Sequence, residues 1–390
     1  MIYLLLNTLE DWLLEHSLYR YVSVFAQIQF RALLAACLSF AIVLLLGRRV
    51  IARLVKLKIG DSGLSDAEAL RRHTQSKANT PTMGGVLIAA AILISVLLLA
   101  DLTKFYMQIG LIVVVWLAAL GAADDWLKLT ALQRGSGSRQ GLYSWEKLVF
   151  QLGLGVLVGY FVYSHGARPE GQSLAHVLTL PFQKTYATPA ITPAPGLIYL
   201  TPIAFVVLST IVVAGMSNAV NITDGMDGLA AGISTAVSLG VCVLALVAGT
   251  QSWAQYLLVP YVPGSEELAV LAGATAGACL GFLWWNCSPA QVFMGDTGAL
   301  CLGGILGYIA IVVRQELVVL LMSGVFLVEL ASVALQVGYF KATKGKRIFK
   351  CAPYHHHLHL SGWAEPQIVA RMWIISVLLV VLALASIKVR

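Results

Sequence analysis

Five aspartates stand in three short runs of this chain, and their setting suits chemistry on phosphates. Asp124 and Asp125 are adjacent in Asp124-Asp125-Trp126-Leu127-Lys128. Two neighbouring carboxylates at the C-terminal end of a helix repel each other and meet the negative end of the helix dipole. Lys128, four residues after Asp124, relieves about a few tenths of a kcal/mol of this. A bound divalent cation relieves more. Successive helical residues point about 100° apart, so the two acids are expected to do different jobs. Asp224 and Asp227 lie in Asn218-Ala219-Val220-Asn221-Ile222-Thr223-Asp224-Gly225-Met226-Asp227-Gly228. The glycines of that run permit backbone conformations closed to other residues and a close approach of ligand. Asp296 follows Phe293-Met294-Gly295. Asp227 and Asp296, each taken alone, also read as N-caps of the next helix, which leaves the rest of their runs unexplained.

Basic groups and imidazoles complete the set. Pro353-Tyr354-His355-His356-His357-Leu358-His359 places four of the eight histidines within five residues, behind Lys341, Lys344, Lys346, Arg347 and Lys350. Three contiguous histidines do not easily ligate one ion from a single strand or helix, so hydrogen bonding to phosphate is preferred to a zinc site. Lys77-Ala78-Asn79-Thr80-Pro81-Thr82-Met83-Gly84-Gly85 offers a lysine, two threonines and a glycine pair to a phosphate. The plainer reading is a basic anchor followed by a helix start. Glu329 and Gln336 are seven apart inside an apolar run, hence on one helical face. Polar groups at membrane depth face the bundle or a cavity, and this run is expected to be bent or broken.

The elements that carry these groups are membrane spans. Of 390 residues, 58% are hydrophobic and 12% charged, against about 25% charged in a soluble domain. The apolar residues fall in runs close to the ~20 needed to cross a bilayer. Ten spans are predicted, near 25–47, 84–100, 108–123, 148–164, 197–216, 228–249, 267–285, 299–313, 317–340 and 369–388. The expected fold is therefore an all-α polytopic membrane protein: one ten-span domain over 25–390, preceded by an interfacial segment, 1–24. The start of the chain has no basic region and meets Glu10 and Asp11 early, unlike a cleavable signal peptide. The six cysteines show no disulfide or zinc spacing and read as small packing residues.

The net charge of +7 is read by topology and not as a nucleic-acid surface. Odd-numbered connections hold 17 Lys and Arg, and even-numbered ones hold 4. The odd connections are thus expected in the cytoplasm and both termini outside. All five aspartates and the histidine run then fall on the cytoplasmic face. The long even connection 165–196, with five prolines, reads as an outer excursion with a short hairpin. Acids for Mg²⁺, bases for phosphates and spans to admit a lipid tail together describe phosphoryl transfer at a membrane surface, which needs positioning and charge neutralisation above all.

These motifs carry a resemblance. Thr80–Gly85, Asp124-Asp125, Asn218–Gly228, Pro289–Asp296, Gly345-Lys346-Arg347-Ile348-Phe349 and Pro353–His357 resemble, in order, segments of the phospho-N-acetylmuramoyl-pentapeptide-transferase family. The paired acids alone indicate only the wider superfamily of polyprenyl-phosphate N-acetylhexosamine-1-phosphate transferases. The triple histidine after Gly-Lys-Arg-Ile-Phe is far more specific to the muramoyl-pentapeptide branch. The resemblance implies a homodimer in the bacterial inner membrane that depends on Mg²⁺. It implies transfer from UDP-MurNAc-pentapeptide to undecaprenyl phosphate, giving lipid I and UMP. It implies Asp296 as metal ligand, Asp124 as base on the lipid phosphate and Asp125 shaping the same site. Asn221, Asp224 and Asp227 would hold the nucleotide and catalytic pocket. Phe293 would stack near the uracil, with Gln336 and Ala352 beside it. Lys77, Thr82, Lys128 and Lys147 would meet phosphates, and His355, His356 and His357 would line the sugar-phosphate region. The chain departs from the family at His359, where a Glu is common, and over 131–146, which lacks a lysine usual soon after Lys128.

Two alternatives make different predictions. A sister enzyme would use a UDP-N-acetylhexosamine, against which the triple histidine argues. A secondary transporter would place its charges near the bilayer midplane, whereas here Glu329 is the main acid that does so.

Overall fold

The computed structural model describes residues 1–56, 80–131, 141–167, 172–187 and 191–388. Lys77 lies outside the described residues. The membrane body runs α1 (Ile28–Lys56), α2 (Gly85–Leu99), α3 (Phe105–Thr130), α4 (Ser144–Gly166), α5 (Pro202–Thr223) and α6 (Leu229–Gly249). It continues with α7 (Leu268–Asn286), α8 (Gly295–Val312), α9 (Glu316–Met322), α10 (Gly324–Ala342), α11 (Tyr354–His359) and α12 (Glu365–Lys388). Among the described residues, nine helices are long and apolar enough to cross a membrane. The tenth expected span is α2, whose 15 residues extend about 22 Å. The fold is that of an all-α, multi-pass membrane protein. The large apolar side chains left exposed on its flanks, such as Leu45, Ile211 and Leu382, are suited to lipid rather than water.

The centre of the bundle is α8. In α8, 89% of the span is buried, against 33% for α1, α4 and α12. A helix that is apolar all round belongs in the interior, and every residue of α8 from Thr297 to Val312 is buried. It packs against α3 and α5, while α7 packs against α1 and α6. One continuous apolar cluster runs from Ala32 to Ile387. The first turn of α8, which carries Asp296, is thereby fixed from two sides.

The predicted ninth span is interrupted, as the buried polar residues suggested. Its two pieces, α9 and α10, meet at Ser323. A Ser-Gly pair is a common place for a helix to break, and Ser323-Gly324 is one. The connection after α4 holds two short antiparallel pairings, Val177–Leu178 with Ile198–Tyr199 and Tyr186–Ala187 with Thr192–Pro193. The lead-in segment forms three short helices, Ile2–Thr8, Glu10–Glu15 and Tyr19–Val22. The Met1 ammonium donates to the Leu98 carbonyl at 3.1 Å, and the Tyr3 ring lies 3.9 Å from the Arg31 guanidinium. These two contacts tie the segment to the bundle.

Candidate active site

The end of α3 brings its two acids to different partners, because the helix continues past them to Thr130. Asp124 and Asp125 are both buried. Asp124 turns to the lysines: its Oδ2 lies 2.6 Å from Lys128 Nζ and 3.4 Å from Lys147 Nζ. Its Oδ1 accepts from the Leu142 amide at 2.6 Å. Asp125 turns to α8. It accepts from the Asp296 amide at 3.1 Å, the Thr297 amide at 3.0 Å and the Thr297 hydroxyl at 2.7 Å. The first amides of a helix have no partner within it, and an anion there is favoured by the dipole. Asp125 therefore caps α8 from another span.

Asp296 completes the cluster. One oxygen from each of Asp124, Asp125 and Asp296 lies within 4.8 Å of the others. Lys147 Nζ is 2.9 Å from Asp296 Oδ2, and Lys128 Nζ is 3.3 Å from Oδ1. Asn221, near the end of α5, donates to Asp296 Oδ1 at 3.0 Å. The approach of α8 to α3 depends on Gly121, one helical turn before Asp125. A Cβ at Gly121 would come within 2.3 Å of the Asp296 carbonyl oxygen, so any side chain there would push the turn that carries Asp296 away.

The glycine-rich loop between α5 and α6 lies alongside. Burial first, then the negative charges of Asp296 and Asp125, pushes the Asp224 carboxyl up to about 7, against a hydrogen bond from the Gly295 backbone. Asp227 is not the N-cap of α6; Gly228 occupies that position without a side-chain cap. Asp227 Oδ2 instead accepts from the Ala290 amide at 3.1 Å, which binds this loop to the connection between α7 and α8. Its amide donates to Glu365 at 3.0 Å. Asp296, likewise, sits inside the first turn of α8 and makes no capping bond.

The segment that carries Thr82 pairs with the one that carries Phe293. The Phe293 amide donates to Pro81 at 2.8 Å, and the Gly84 and Gly85 amides donate to Phe293 and Met294 at 2.9 and 2.8 Å. Gln336 and Ala352 belong to a separate group with the histidines. The Gln336 side-chain carbonyl accepts from the Ile348 and Phe349 amides at 3.1 and 2.9 Å. Ala352 precedes Pro353, the N-cap of α11. His357 Nδ1 accepts from the Lys350 amide at 3.2 Å, and its ring stacks on Tyr354. His355 is buried and lies 3.1 Å from Glu329 Oε2; the His356 ring is 4.2 Å from it. Glu329 is thus a partnered acid at the edge of the histidine segment.

Four contributors were not legible as site residues. Thr297 had only its place after Asp296 as a signal. Asn286, whose Oδ1 accepts from the Gly228 amide at 3.0 Å, showed only as a polar group closing a span. Glu365 and the Leu142 amide gave no signal. Lys147, expected to meet phosphate, reaches Asp296 because it lies in the first turn of α4.

Known proteins share much of this sequence. A model of glycosyl transferase family 4 matches residues 107–314. A phospho-N-acetylmuramoyl-pentapeptide-transferase signature matches residues 77–88. The phospho-N-acetylmuramoyl-pentapeptide-transferase of Desulfotalea psychrophila is 42% identical over 375 residues, covering 96% of this chain and 98% of that protein. With three acids and two lysines meeting where α3, α4 and α8 converge, and with likeness over almost the whole length, the chain belongs to the phospho-N-acetylmuramoyl-pentapeptide-transferase family.

Proposed function

We propose that this protein transfers phospho-MurNAc-pentapeptide from UDP-MurNAc-pentapeptide to undecaprenyl phosphate, giving lipid I and UMP for peptidoglycan synthesis. The observation that carries the reading is the meeting of Asp124, Asp125 and Asp296 with Lys128 and Lys147 at the ends of membrane-crossing helices. A lipid phosphate and a nucleotide pyrophosphate can both reach such a place.

The donor set fits Mg²⁺. It consists of hard carboxylate oxygens, and Mg²⁺ is held by one or two of these plus water and phosphate oxygens. Asp125 has its oxygens committed to α8 and Asp124 has one committed to Leu142. Asp296, the most exposed of the three at 14%, would hold the ion. Bound there, Mg²⁺ would neutralise pyrophosphate charge and that of the departing UMP.

The side chains supply the rest. Lys128 is 45% exposed and is the more exposed of the two lysines beside Asp124. An arriving phosphate draws Lys128 and Lys147 toward its oxygens, which frees Asp124 Oδ2 to take the proton of the lipid phosphate. The lipid phosphate oxygen attacks the sugar-side phosphorus, and the bond to UMP breaks with its electron pair leaving on UMP. Asn221 and Asp125 keep Asp296 in place throughout. Asp224 and Asp227 shape the nucleotide pocket, with Phe293 against the uracil and Gln336 and Ala352 beside it. Thr82 and Lys77 meet phosphate, and His355, His356 and His357 line the sugar-phosphate region. A two-step route through an aspartyl intermediate would release UMP in a single turnover without lipid acceptor; the direct route would not.

The reading extends to the setting. Residues 25–390 act as one transferase unit behind an interfacial segment, 1–24. The surplus of bases on the connections next to the acids argues for a site on the cytoplasmic face with both termini outside, in the bacterial inner membrane. The working form is a homodimer, which native mass spectrometry in detergent would register as twice the chain mass.

The test is UMP release by purified protein with undecaprenyl phosphate and Mg²⁺. Release with UDP-MurNAc-pentapeptide and not with UDP-GlcNAc is expected. Release with UDP-GlcNAc alone would move the chain to the sister branch. No release with either, from folded protein, would overturn the reading.

A further inference from the structure

Glu329 is a fully buried acid on α10 whose charge the transfer reaction does not use. Its Oε2 accepts from the His355 amide at 3.2 Å and lies 3.1 Å from His355 Nδ1. The same oxygen thus receives two nitrogens of one residue. Acceptance of the amide N–H suits this oxygen to accept from the imidazole as well, which is the arrangement in which the ring carries its proton on Nδ1. The other ring nitrogen, Nε2, is then the one left open. It is buried and has no hydrogen-bond partner among the described residues. It faces Gly225, the residue after Asp224: a Cβ at Gly225 would come within 2.4 Å of Nε2.

This arrangement is expensive as it stands. A buried polar atom without a partner costs about 1–3 kcal/mol, and such atoms in native proteins call for an explanation. The charged and titratable groups around the ring are Glu329 from α10, His356 on its own helix and Asp224 beside Gly225 in the loop between α5 and α6.

We infer that Glu329 is a positioning residue: it fixes His355 with its proton on Nδ1, so that the Nε2 lone pair, covered by Gly225, is presented to an O–H group of a substrate when the loop between α5 and α6 moves aside. The inference rests on the proposed transferase reading. The O–H has two possible sources, a hydroxyl of the nucleotide-sugar donor or the protonated phosphate of the lipid acceptor. A metal ligand of this kind loses about 10- to 100-fold in function when its orienting partner is removed, and a hydrogen-bonding imidazole held the same way should follow that scale.

The experiment compares Glu329→Gln, Glu329→Leu, His355→Ala and Gly225→Ala in the UMP-release assay, each protein first matched to wild type by thermal midpoint in detergent. Wild type must first release UMP from UDP-MurNAc-pentapeptide, so a failure of the transferase reading shows itself separately. Glu329→Leu should lower kcat/KM by about 10- to 100-fold. Glu329→Gln keeps an acceptor oxygen and should recover most of the loss. His355→Ala combined with Glu329→Leu should be no worse than the worse single variant. Gly225→Ala, which removes no polar group but displaces Nε2, should reproduce the defect. A rise in KM confined to the nucleotide assigns the O–H to the donor; a rise confined to undecaprenyl phosphate assigns it to the lipid. Glu329→Leu with wild-type kinetics, Glu329→Gln as impaired as Glu329→Leu, or additive losses in the double variant would overturn the inference.

Discussion

Replacing Asp125 by Asn tests whether this acid holds α8 rather than reacting. Asp125 takes three hydrogen bonds from the first turn of α8, at 3.1, 3.0 and 2.7 Å. Asn retains one oxygen. Its better orientation keeps that oxygen on Thr297, which donates twice, and turns the NH₂ group onto the Asp296 amide. Two donors then face each other, and leaving that amide unsatisfied costs about 1–3 kcal/mol. Loss of the anion at a helix N-terminus costs up to about 2 kcal/mol in a partly buried setting. Removing a negative charge beside Asp296 and Asp224 offsets part of this. The net expectation is a loss of about 2 kcal/mol, with the Asp296 turn displaced. Misplacement by about 1 Å at a reacting centre can cost about a hundredfold in rate. The assay is paired: thermal midpoint in detergent, and UMP release at saturating substrates. Both should fall in Asp125→Asn, and Thr297→Val, which loses only the hydroxyl bond, should show a smaller fall in midpoint of about 1 kcal/mol. An Asp125→Asn protein as stable and as fast as wild type would refute the capping argument.

Other outcomes follow from the same geometry. Asp296→Asn should abolish UMP release together with its response to added Mg²⁺, and chelation of Mg²⁺ should silence the wild type reversibly; an active Asp296→Asn variant would remove that residue from the metal role. Gly121→Ala drives a methyl group against the Asp296 carbonyl oxygen and should cost about 1–3 kcal/mol of stability, read as a lower thermal midpoint with reduced turnover. Lys147→Met removes the partner 2.9 Å from Asp296 and should raise the KM for a phosphate substrate, whereas unchanged kinetics would leave Lys147 a purely structural neighbour. The Asp224 carboxyl has a value of about 7 in the fold against an ordinary 3.8, so the folded state holds the extra proton between these limits. Its contribution to stability is full below about pH 4 and is lost as pH rises through 7. Thermal midpoints should therefore decline between about pH 4 and 7, less steeply in Asp224→Asn; equal slopes would show that Asp224 does not titrate in this window.

The sequence by itself determined the class of fold, because apolar runs near the width of a bilayer permit little else. It also singled out the acids, the lysines and the histidine run, since each breaks a local pattern: charge at a span end, glycine beside Asp, imidazoles in series. That Asp124 and Asp125 face different partners followed from helical periodicity alone. Which of these groups meet is set by the packing of the helices. Asp125 and Thr297 are bonded across 172 positions of sequence, and no spacing rule links them. The pairing exists because α8 is the buried axis of the bundle and Gly121 lets α3 come close to its first turn. Two plain readings failed for the same reason. Asp227 and Asp296 look like N-caps, but the backbone turns that start α6 and α8 leave their carboxylates for Ala290, Asn221 and the lysines. Glu329 read as a lone acid at membrane depth, and its partner, His355, comes from 26 residues on. The break at Ser323 aims α10 at that helix, and a buried acid becomes tolerable only once such a partner is supplied.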